Sequence, residues 1–342
     1  MEKTSLPKEI DRAAAAWRLG SARRIVITTH ARADGDAIGS AAGLQRVLAQ
    51  RGQQVETFVH EPVPRRYAFL PGVGSLRVWE PGKVAEVLVD ADLLVIVDTC
   101  SAAQLGDVAE ALSRADVYTL AIDHHLTPGP VADALLLDTS AGACAQIITQ
   151  LCEQADWPID TETATLLYTG LATDTGWFRF SNADAAAFAT AGRLVDAGAR
   201  PNELYERLYL NEPEPRVRLI GEVLSSFELL ADGRLAVIRL TRDMISRCGA
   251  TQQMTEEIIN EPQRIGSVVA CLLLAEPDGD GPVRASFRSK RDVDVEAIAR
   301  RFGGGGHARA AGAKIPGTLD GAYEQVVPVL VQALETMDSP PR

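Results

Sequence analysis

The sequence predicts an α/β protein of two domains, with a parallel sheet in the N-terminal domain and a smaller α+β domain in the C-terminal half. The first half alternates short β-branched runs with segments of helical spacing, which is typical of a parallel sheet covered by helices. Prolines and charges at 211–215 then interrupt the pattern. With 342 residues, of which 46% are apolar, the chain is long enough for each domain to bury its own core.

Four runs predict the strands of the first domain: RIVITT at 24–29, QVETFV at 54–59, LLVIV at 93–97 and VYTLAI at 117–122. The segments 36–50, 141–155 and 161–172 have helical spacing of their apolar residues. We expect these helices to cover the two faces of the sheet.

The domain boundary is expected near the two further helical segments at 183–197 and 202–210, which lead into the prolines. We therefore predict a first domain at 1–186, a helical linker at 187–214 and a second domain at 215–342. In the second domain the pattern predicts strands at 234–240, 266–275 and 283–287 and helices at 255–260, 295–302 and 322–336.

Composition argues against a membrane protein and against a disulfide-stabilised one. The longest apolar runs, 93–97 and 268–275, are much shorter than a bilayer span, and the first residues contain no apolar signal core. The five cysteines are an odd number, widely spaced and without a C-x-x-C pair, so they suggest neither a disulfide framework nor a thiolate zinc site. We expect a cytoplasmic protein with no membrane partner.

The net charge limits the kind of substrate. The chain has 34 basic and 46 acidic residues, a formal charge of -12, and no block of Lys or Arg. Long duplex nucleic acid binds through many phosphate contacts, so this surface is expected to repel it. An anionic substrate should therefore be small and held locally.

Three predicted strands run into residues that can bind a metal ion: the first into His30, the third into Asp98, and the fourth into Asp123, His124 and His125. In an open parallel sheet, ligands bind outside the carboxyl ends of the strands, so these side chains should meet in one place. Considered alone, a histidine or aspartate in such a position is more often a capping or hydrogen-bonding residue.

Three more carboxylates belong to the same prediction: Asp34 and Asp36, on either side of Gly35, and Asp174. Each has an alternative as a turn residue or helix cap. Unpaired buried acids are costly, so four carboxylates and two imidazoles imply bound cations. The mixed donor set suits Mn²⁺ best, with Co²⁺, Fe²⁺ and Zn²⁺ as alternatives, and its size favours two divalent ions sharing one carboxylate.

A glycine run in the second domain is the other candidate site. The segment FGGGGHAR at 302–309 has backbone N–H groups that can bind a phosphate, with His307 and Arg309 as charged donors, and Arg288 lies near the end of a predicted strand. A flexible connector and a solvated surface arginine are the alternatives.

These segments resemble the DHH/DHHA1 phosphoesterase family, and within it the oligoribonuclease and pAp phosphatase (nano-RNase) type. The matching motifs are HARADGDAIGS at 30–40, IVDTC at 96–100, DHH at 123–125, ATDTGWFRFS at 172–181, SFRSK at 286–290 and FGGGGHARAAG at 302–312. Two departures are Ala33, where the family more often has Pro, and MTEEIIN at 254–260, which loosely matches a usual Thr-Glu-Gly segment. Substrate contacts from Thr255 or Glu256 are left open.

The resemblance implies a DHH domain followed by a DHHA1 domain, with the active-site cleft between them. It implies His30, Asp34 and Asp98 as ligands of one Mn²⁺, and Asp36, Asp98, His124 and Asp174 as ligands of the other. It implies Asp98, Asp123, His124 and His125 as the catalytic set. It implies Arg288, Gly304, Gly305, Gly306, His307 and Arg309 as the substrate-binding set.

The activity implied is two-metal hydrolysis of short oligoribonucleotides (nanoRNA, and dinucleotides such as pApA) to 5′-mononucleotides, and of 3′-phosphoadenosine 5′-phosphate (pAp) to AMP. A cyclic-dinucleotide phosphodiesterase, a single-strand DNA exonuclease, a pyrophosphatase and a non-catalytic nucleotide-binding regulator are the alternatives. The sequence leaves open which of these substrates is the physiological one. It also leaves open the cleavage polarity, the native metal and the oligomeric state, for which a homodimer is one possibility.

Overall fold

The structure, a computed structural model, describes residues 7–114, 116–125, 131–290 and 293–337. The chain divides into two compact units, Met1–Asn211 and Glu212–Arg342, each with a sheet of its own. The helices at Ala185–Asp196 and Pro201–Tyr209, in the segment expected as a linker, belong to the first unit. Their buried apolar residues, including Leu194 and Leu204, join its core.

The first unit contains a seven-stranded sheet in the order β1-β7-β6-β5-β2-β3-β4. Every adjacent pair is parallel, which confirms the predicted sheet type. The strands are β1 Lys8–Glu9, β2 Arg24–Thr28, β3 Gln54–Val59, β4 Arg77–Val78, β5 Leu93–Val97, β6 Thr119–Asp123 and β7 Ala134–Leu137. The three strands predicted to end in metal-capable residues, β6, β5 and β2, are therefore neighbours.

Helices cover both faces of this sheet. They are α1 Arg12–Ser21, α2 Gly35–Gln50, α3 Pro81–Val89, α4 Ala102–Leu105, α5 Asp107–Arg114, α6 Cys144–Gln154, α7 Thr161–Asp174, α8 Ala185–Asp196 and α9 Pro201–Tyr209. Alternate residues of β5 enter different cores: Val95 packs with α2, α6 and α7, and Ile96 packs with α3 and α5. Across the described ranges, we find no helix whose length and apolar character would let it cross a bilayer.

The second unit contains a mixed six-stranded sheet in the order β12-β13-β11-β10-β9-β8. The strands are β8 Glu228–Leu230, β9 Leu235–Leu240, β10 Ala270–Ala275, β11 Val283–Ser289, β12 Gly305–His307 and β13 Ala310–Ile315. Only the β9–β10 pair is parallel; the other adjacent pairs are antiparallel. This is the α+β arrangement that the sequence predicts.

The helices of the second unit are α10 Glu214–Leu224, α11 Arg242–Arg247, α12 Val295–Arg300 and α13 Leu319–Met337. Val295 and Leu330 pack α12 and α13 on one face of the sheet, and Leu219 and Ile245 pack α10 and α11 on the other. The segment predicted as a helix at 255–260 instead forms a 3₁₀ helix at Ile258–Arg264, whose internal Pro262 cannot donate the backbone hydrogen bond of a regular α-helix.

Candidate metal centre

The carboxyl ends of β2, β5 and β6 carry the first part of the site. His30 follows β2 by two residues, Asp98 follows β5 directly, and Asp123 is the last residue of β6, with His124 and His125 next in the chain. All three strands are buried and parallel, so their ends lie along one edge of the sheet. The fold thus brings these residues together, as the sequence predicts.

Asp98 lies at the centre of this edge, between the two imidazoles. Its Oδ2 is 3.4 Å from His30 Nε2, and its Oδ1 is 3.5 Å from His124 Nε2. Its side chain is buried, and its backbone has a φ of 61°, in the left-handed region that aspartate seldom occupies. Strain of this kind persists where the surrounding structure imposes it, often at functional sites.

Helix α2 supplies two more carboxylates. Asp34 caps the helix, because its Oδ1 accepts hydrogen bonds from the backbone N–H groups of Asp36 (3.0 Å) and Ala37 (3.1 Å). The same carboxylate lies 3.9 Å from His30 Nε2. The capping role that was the alternative for Asp34 is therefore real, and it coexists with a position in the cluster.

Asp36 is buried and held by three donors. Its Oδ1 accepts from the Ser40 hydroxyl and from the Ala145 N–H, both at 3.0 Å, and its Oδ2 accepts from the Cys144 N–H at 2.6 Å. The two backbone donors are the first residues of α6, whose N-terminus favours negative charge. These contacts fix the carboxylate in position and oppose the effect of burial, which raises the pKa of Asp36.

Close packing of α2 on α7 brings Asp174 to the site. A Cβ atom on Gly39 would lie 2.4 Å from the Leu166 carbonyl oxygen, and one on Gly170 would lie 2.7 Å from Asp36 Oδ1. These glycines allow the two helices to approach closely. As a result Asp174, the last residue of α7, lies with its Oδ2 3.6 Å from His124 Nε2.

The two imidazoles are oriented in the way that metal-binding histidines usually are. His30 Nδ1 lies 2.8 Å from the Ala31 carbonyl oxygen, and His124 Nδ1 lies 3.2 Å from the Ala141 carbonyl oxygen. A carbonyl can only accept, so Nδ1 carries the proton that it donates. The Nε2 atom of each ring is then left to bind a cation through its lone pair.

His125 is held differently. Its Nδ1 donates to Asp123 Oδ1 at 2.7 Å, and the same oxygen accepts from the His124 N–H at 2.8 Å. Its side chain is about half exposed, with 47% of its surface accessible. Asp123 therefore orients His125 from below the sheet edge without joining the closest group of ligand atoms.

The donor set fits divalent cations. Three groups of three ligand atoms lie within 4.8 Å of one another: His30, Asp34 and Asp98; Asp36, His124 and Asp174; and Asp98, His124 and His125. Within the described residues, the buried atoms Asp98 Oδ1 and His124 Nε2 lack a hydrogen-bond partner, which is costly unless a cation is bound. Imidazole nitrogen with carboxylate oxygen suits first-row transition metals, and the six residues are more than a single open site needs.

The pKa values report the electrostatic conflict in the cluster. Burial raises the pKa of Asp174 to about 6 and raises that of Asp36, with Asp98 adding to both shifts. Burial by itself lowers the pKa of a histidine, but interaction with Asp98 and its neighbours outweighs it and raises the pKa of His30 to about 9 and of His124 to about 10. The acids thus attract positive charge, which protons or metal ions can supply.

The predicted substrate residues of the second unit lie on β11 and β12, which flank β13, and in the segments next to β12. Gly305, Gly306 and His307 form β12, the edge strand of a hairpin with β13, so the glycine run is ordered in the sheet. Arg288 and His307 both pair with Ala310, from opposite sides of β13. The His307 side chain is outside the described part of the structure.

Close contacts explain two glycines of this run. A Cβ on Gly304 would lie 2.1 Å from the Gly312 carbonyl oxygen, and Gly306 has a φ of 148° with the Ala310 carbonyl oxygen 2.5 Å from its Cβ position. Arg309 is exposed, and Arg288 is half-buried. The glycines are thus needed for the hairpin itself, whatever they bind.

Comparison with known proteins identifies the family of this chain. Residues 24–171 match the DHH family, N-terminal domain, and residues 234–337 match the DHHA1 domain. The bifunctional oligoribonuclease and PAP phosphatase NrnA of Thermus thermophilus is 33% identical over 312 residues, which cover 91% of this chain and 90% of that protein. The chain belongs to the DHH/DHHA1 phosphoesterase family.

Two further similar proteins cover most of the chain. The protein of the same name from Bacillus subtilis is 28% identical over 295 residues, 85% of this chain and 89% of that one. The crystal structure of an exopolyphosphatase-related protein from Bacteroides fragilis superposes with a TM-score of 0.87 at 26% identity, covering 95% of each chain. The family assignment predicted from the sequence motifs is therefore confirmed.

Several supporting residues of the DHH domain escape sequence analysis. Ser40 follows Asp36 by four residues on a helix, a spacing that could have identified it as a partner. The N–H groups of Cys144 and Ala145, and the Ala141 carbonyl, offer no such signal, because backbone groups contribute regardless of residue type. Their role becomes visible only once α6 and the preceding loop are placed.

Proposed function

We propose that this chain hydrolyses short oligoribonucleotides to 5′-mononucleotides and converts pAp to AMP. The observation that carries the proposal is the convergence of His30, Asp34, Asp36, Asp98, His124 and Asp174 in a DHH domain. The names of the Thermus and Bacillus relatives, oligoribonuclease and PAP phosphatase, support the choice of substrates.

In this proposal the six residues would hold two divalent ions, with Mn²⁺ preferred because four of the six ligands are carboxylates, which suit this ion. His30, Asp34 and Asp98 would bind one ion, and Asp36, Asp98, His124 and Asp174 would bind the other. The measured contacts support a shared Asp98, since its two oxygens face different imidazoles. Bound ions would supply Lewis-acid activation of the phosphoryl group and of the attacking water.

The chain's own residues orient these ligands and manage protons. The Ala31 and Ala141 carbonyls fix the imidazole tautomers, and α6 fixes Asp36. Interaction with Asp123 raises the pKa of His125, which favours a protonated ring whose Nε2–H can donate to the oxygen that leaves phosphorus. Asp98, Asp123, His124 and His125 together form the proposed catalytic set.

The second domain is proposed to bind the rest of the substrate. Arg288, Gly304, Gly305, Gly306, His307 and Arg309 form the proposed set. The pairing of both Arg288 and His307 with Ala310 supports a common binding surface on this sheet.

The net charge of -12 favours short substrates over long ones, because it opposes the many phosphate contacts that long nucleic acid needs. We place the activity in the cytoplasm, in keeping with five cysteines that are all free thiols. A homodimer is compatible with the proposal but is not required by it.

The test is a substrate panel for the purified chain. With Mn²⁺ present, we expect mononucleotide from pApA and from two- to five-residue RNA, and phosphate from pAp. Asp98→Ala should abolish all of these activities. Asp98→Asn, which preserves the size and shape of the side chain, should reduce them strongly. Release of neither product by the wild-type chain would exclude the proposed function.

A further inference from the structure

The 3₁₀ turn at Gln252–Thr255 is tied to strand β11 in the second domain. The Thr255 hydroxyl accepts a hydrogen bond from Arg284 Nη2 at 2.9 Å and donates to the Gln252 carbonyl at 2.7 Å, and Thr255 is 2% exposed. Arg284 and Arg288 lie on the same face of β11, because they are separated by an even number of residues. The segment after Thr255 therefore runs beside the face that carries Arg288.

Glu257 is the residue of this segment with an unfavourable backbone. Its φ is 65°, in the left-handed region that glycine occupies readily and glutamate does not. It cannot relax easily, because Thr255 is fixed on one side and Ile258 and Ile259 are buried on the other. Those isoleucines pack in the same core cluster as Cys271, the residue paired with Arg288.

The charge of Glu257 acts on Arg288. The guanidinium of Arg288 is partly desolvated, which lowers its pKa, and the negative charge of Glu257 opposes that shift. Arg288 Nη1 also donates to the Phe287 carbonyl at 3.0 Å, which restrains the side chain beside its own strand. Glu257 itself is exposed, so its charge is not needed for the core.

We propose that Glu257 is a specificity-determining residue that weakens the attraction of Arg288 for a terminal phosphate of the substrate. This inference rests on the proposed function, in which Arg288 binds a substrate group other than the scissile phosphate. A terminal phosphate monoester carries close to two negative charges at neutral pH, whereas a terminal hydroxyl carries none. A carboxylate whose charge acts on Arg288 therefore disfavours bisphosphates such as pAp relative to oligonucleotides that end in a hydroxyl.

The backbone strain supports the same conclusion. Glycine at position 257 would remove the strain that glutamate keeps. A strained residue that the packing does not require is a candidate for a functional one. The chain thus keeps an acidic side chain at a strained position whose charge acts on Arg288.

The experiment measures binding, so it does not depend on hydrolysis. The affinities of the Mn²⁺-loaded, full-length chain for AMP and for adenosine are compared by calorimetry; the two probes differ only in a terminal phosphate. Glu257→Gln removes the charge and keeps the strained left-handed backbone, and Glu257→Gly removes both the charge and the strain. Each should raise the ratio of AMP to adenosine affinity about three-fold at low salt, and less at high salt.

Two controls separate charge from structure. Only Glu257→Gly should raise the Tm, because only glycine relieves the strain. In an Arg288→Ala background, Glu257→Gln should no longer change the affinity ratio, since the group on which it acts is gone.

The inference is overturned if the ratio is unchanged or falls in Glu257→Gln, if the increase persists without Arg288, or if the wild-type chain does not bind AMP. Failure of the proposed function is a separate result, namely no product from pApA or pAp in the substrate panel. The two failures are distinguishable because AMP is not hydrolysed in the binding assay.

Discussion

The Asp36 carboxylate accepts a 2.6 Å hydrogen bond from the backbone N–H of Cys144, at the first turn of α6. These residues are 108 positions apart in the chain, and the bond joins the start of α2 to the start of α6. A carboxylate held by a helix N-terminus has a defined position, even though burial and the nearby Asp98 raise the pKa of Asp36. Asp36 is thus arranged to bind a cation before the cation arrives.

Ser40→Ala should weaken Mn²⁺ binding about ten-fold, because partners that orient a metal ligand typically contribute this much. The Ser40 hydroxyl donates to Asp36 Oδ1 at 3.0 Å, and alanine cannot replace it. Calorimetric titration with Mn²⁺ measures the change. Thr169→Ala is the matched control, since this buried hydroxyl donates to the Thr165 carbonyl and to no carboxylate. Equal losses of Mn²⁺ affinity in Ser40→Ala and Thr169→Ala would contradict the orienting role of Ser40.

Gly39→Ala should lower the free energy of unfolding by about 1–3 kcal/mol, the usual range for an overpacked core. The added Cβ would lie 2.4 Å from the Leu166 carbonyl oxygen, so α2 and α7 must separate and Asp36 must move relative to Asp174. Denaturant unfolding should show the lower free energy of unfolding, and Mn²⁺ titration should show a weaker affinity. Gly192→Ala, on the exposed side of α8 with no atom near its Cβ position, should instead stabilise by about 0.5–1 kcal/mol. Wild-type metal affinity in Gly39→Ala would show that this packing does not position the ligands.

The stability contributed by Asp160 should depend on pH. Hydrogen bonds from Arg46 hold the pKa of Asp160 well below its usual range, and the carboxylate also caps α7 through the Thr163 N–H at 2.8 Å. A depressed folded-state pKa means that the stabilisation is complete above about pH 4 and is lost as the pH falls below it.

Asp160→Ala should therefore lower the free energy of unfolding at pH 7 by about 1 kcal/mol, the usual value of a lost cap. The difference in the free energy of unfolding between wild type and Asp160→Ala, measured with urea, should become smaller as the pH is lowered from 5 to 2. Asp160→Asn keeps a capping oxygen and should show a smaller loss at pH 7. A difference between wild type and Asp160→Ala that is independent of pH would contradict the role of the ionised carboxylate.

Binding of Mn²⁺ at pH 7 should release protons. The surrounding acids raise the pKa of His30 to about 9 and of His124 to about 10, and a histidine must lose its Nε2 proton to bind a metal. Because these values lie above pH 7, the affinity should fall as the pH is lowered. Calorimetry in buffers of different ionisation enthalpy counts the protons. Release of none, with an affinity that does not change between pH 6 and 8, would contradict this electrostatic account.

The sequence predicts the parts of this protein that depend on local patterns. Runs such as LLVIV at 93–97 are buried on both faces, so they identify central parallel strands and place Asp98 at a strand end. The short strands β1 and β4, of two residues each, have no pattern that could reveal them. The hairpin of β12 and β13 is hidden by its glycines, which usually indicate a loop.

Long-range contacts mark the limit of sequence analysis at the site. The six proposed metal ligands follow from strand ends and motifs, and the structure brings them together. The support of Asp36 by α6, and the approach of α2 to α7 through Gly39, depend on helix placement that periodicity does not specify. The left-handed backbone of Asp98 and of Glu257 likewise results from tertiary constraints rather than from residue preference.

The number of Mn²⁺ ions bound per chain tests the central claim most directly. Equilibrium dialysis followed by atomic absorption should give two ions for the wild-type chain, and Asp98→Ala should lose tight binding of both, because its carboxylate is shared. A wild-type chain that binds no ion, or an Asp98→Ala variant that still binds two with unchanged affinity, would contradict the account.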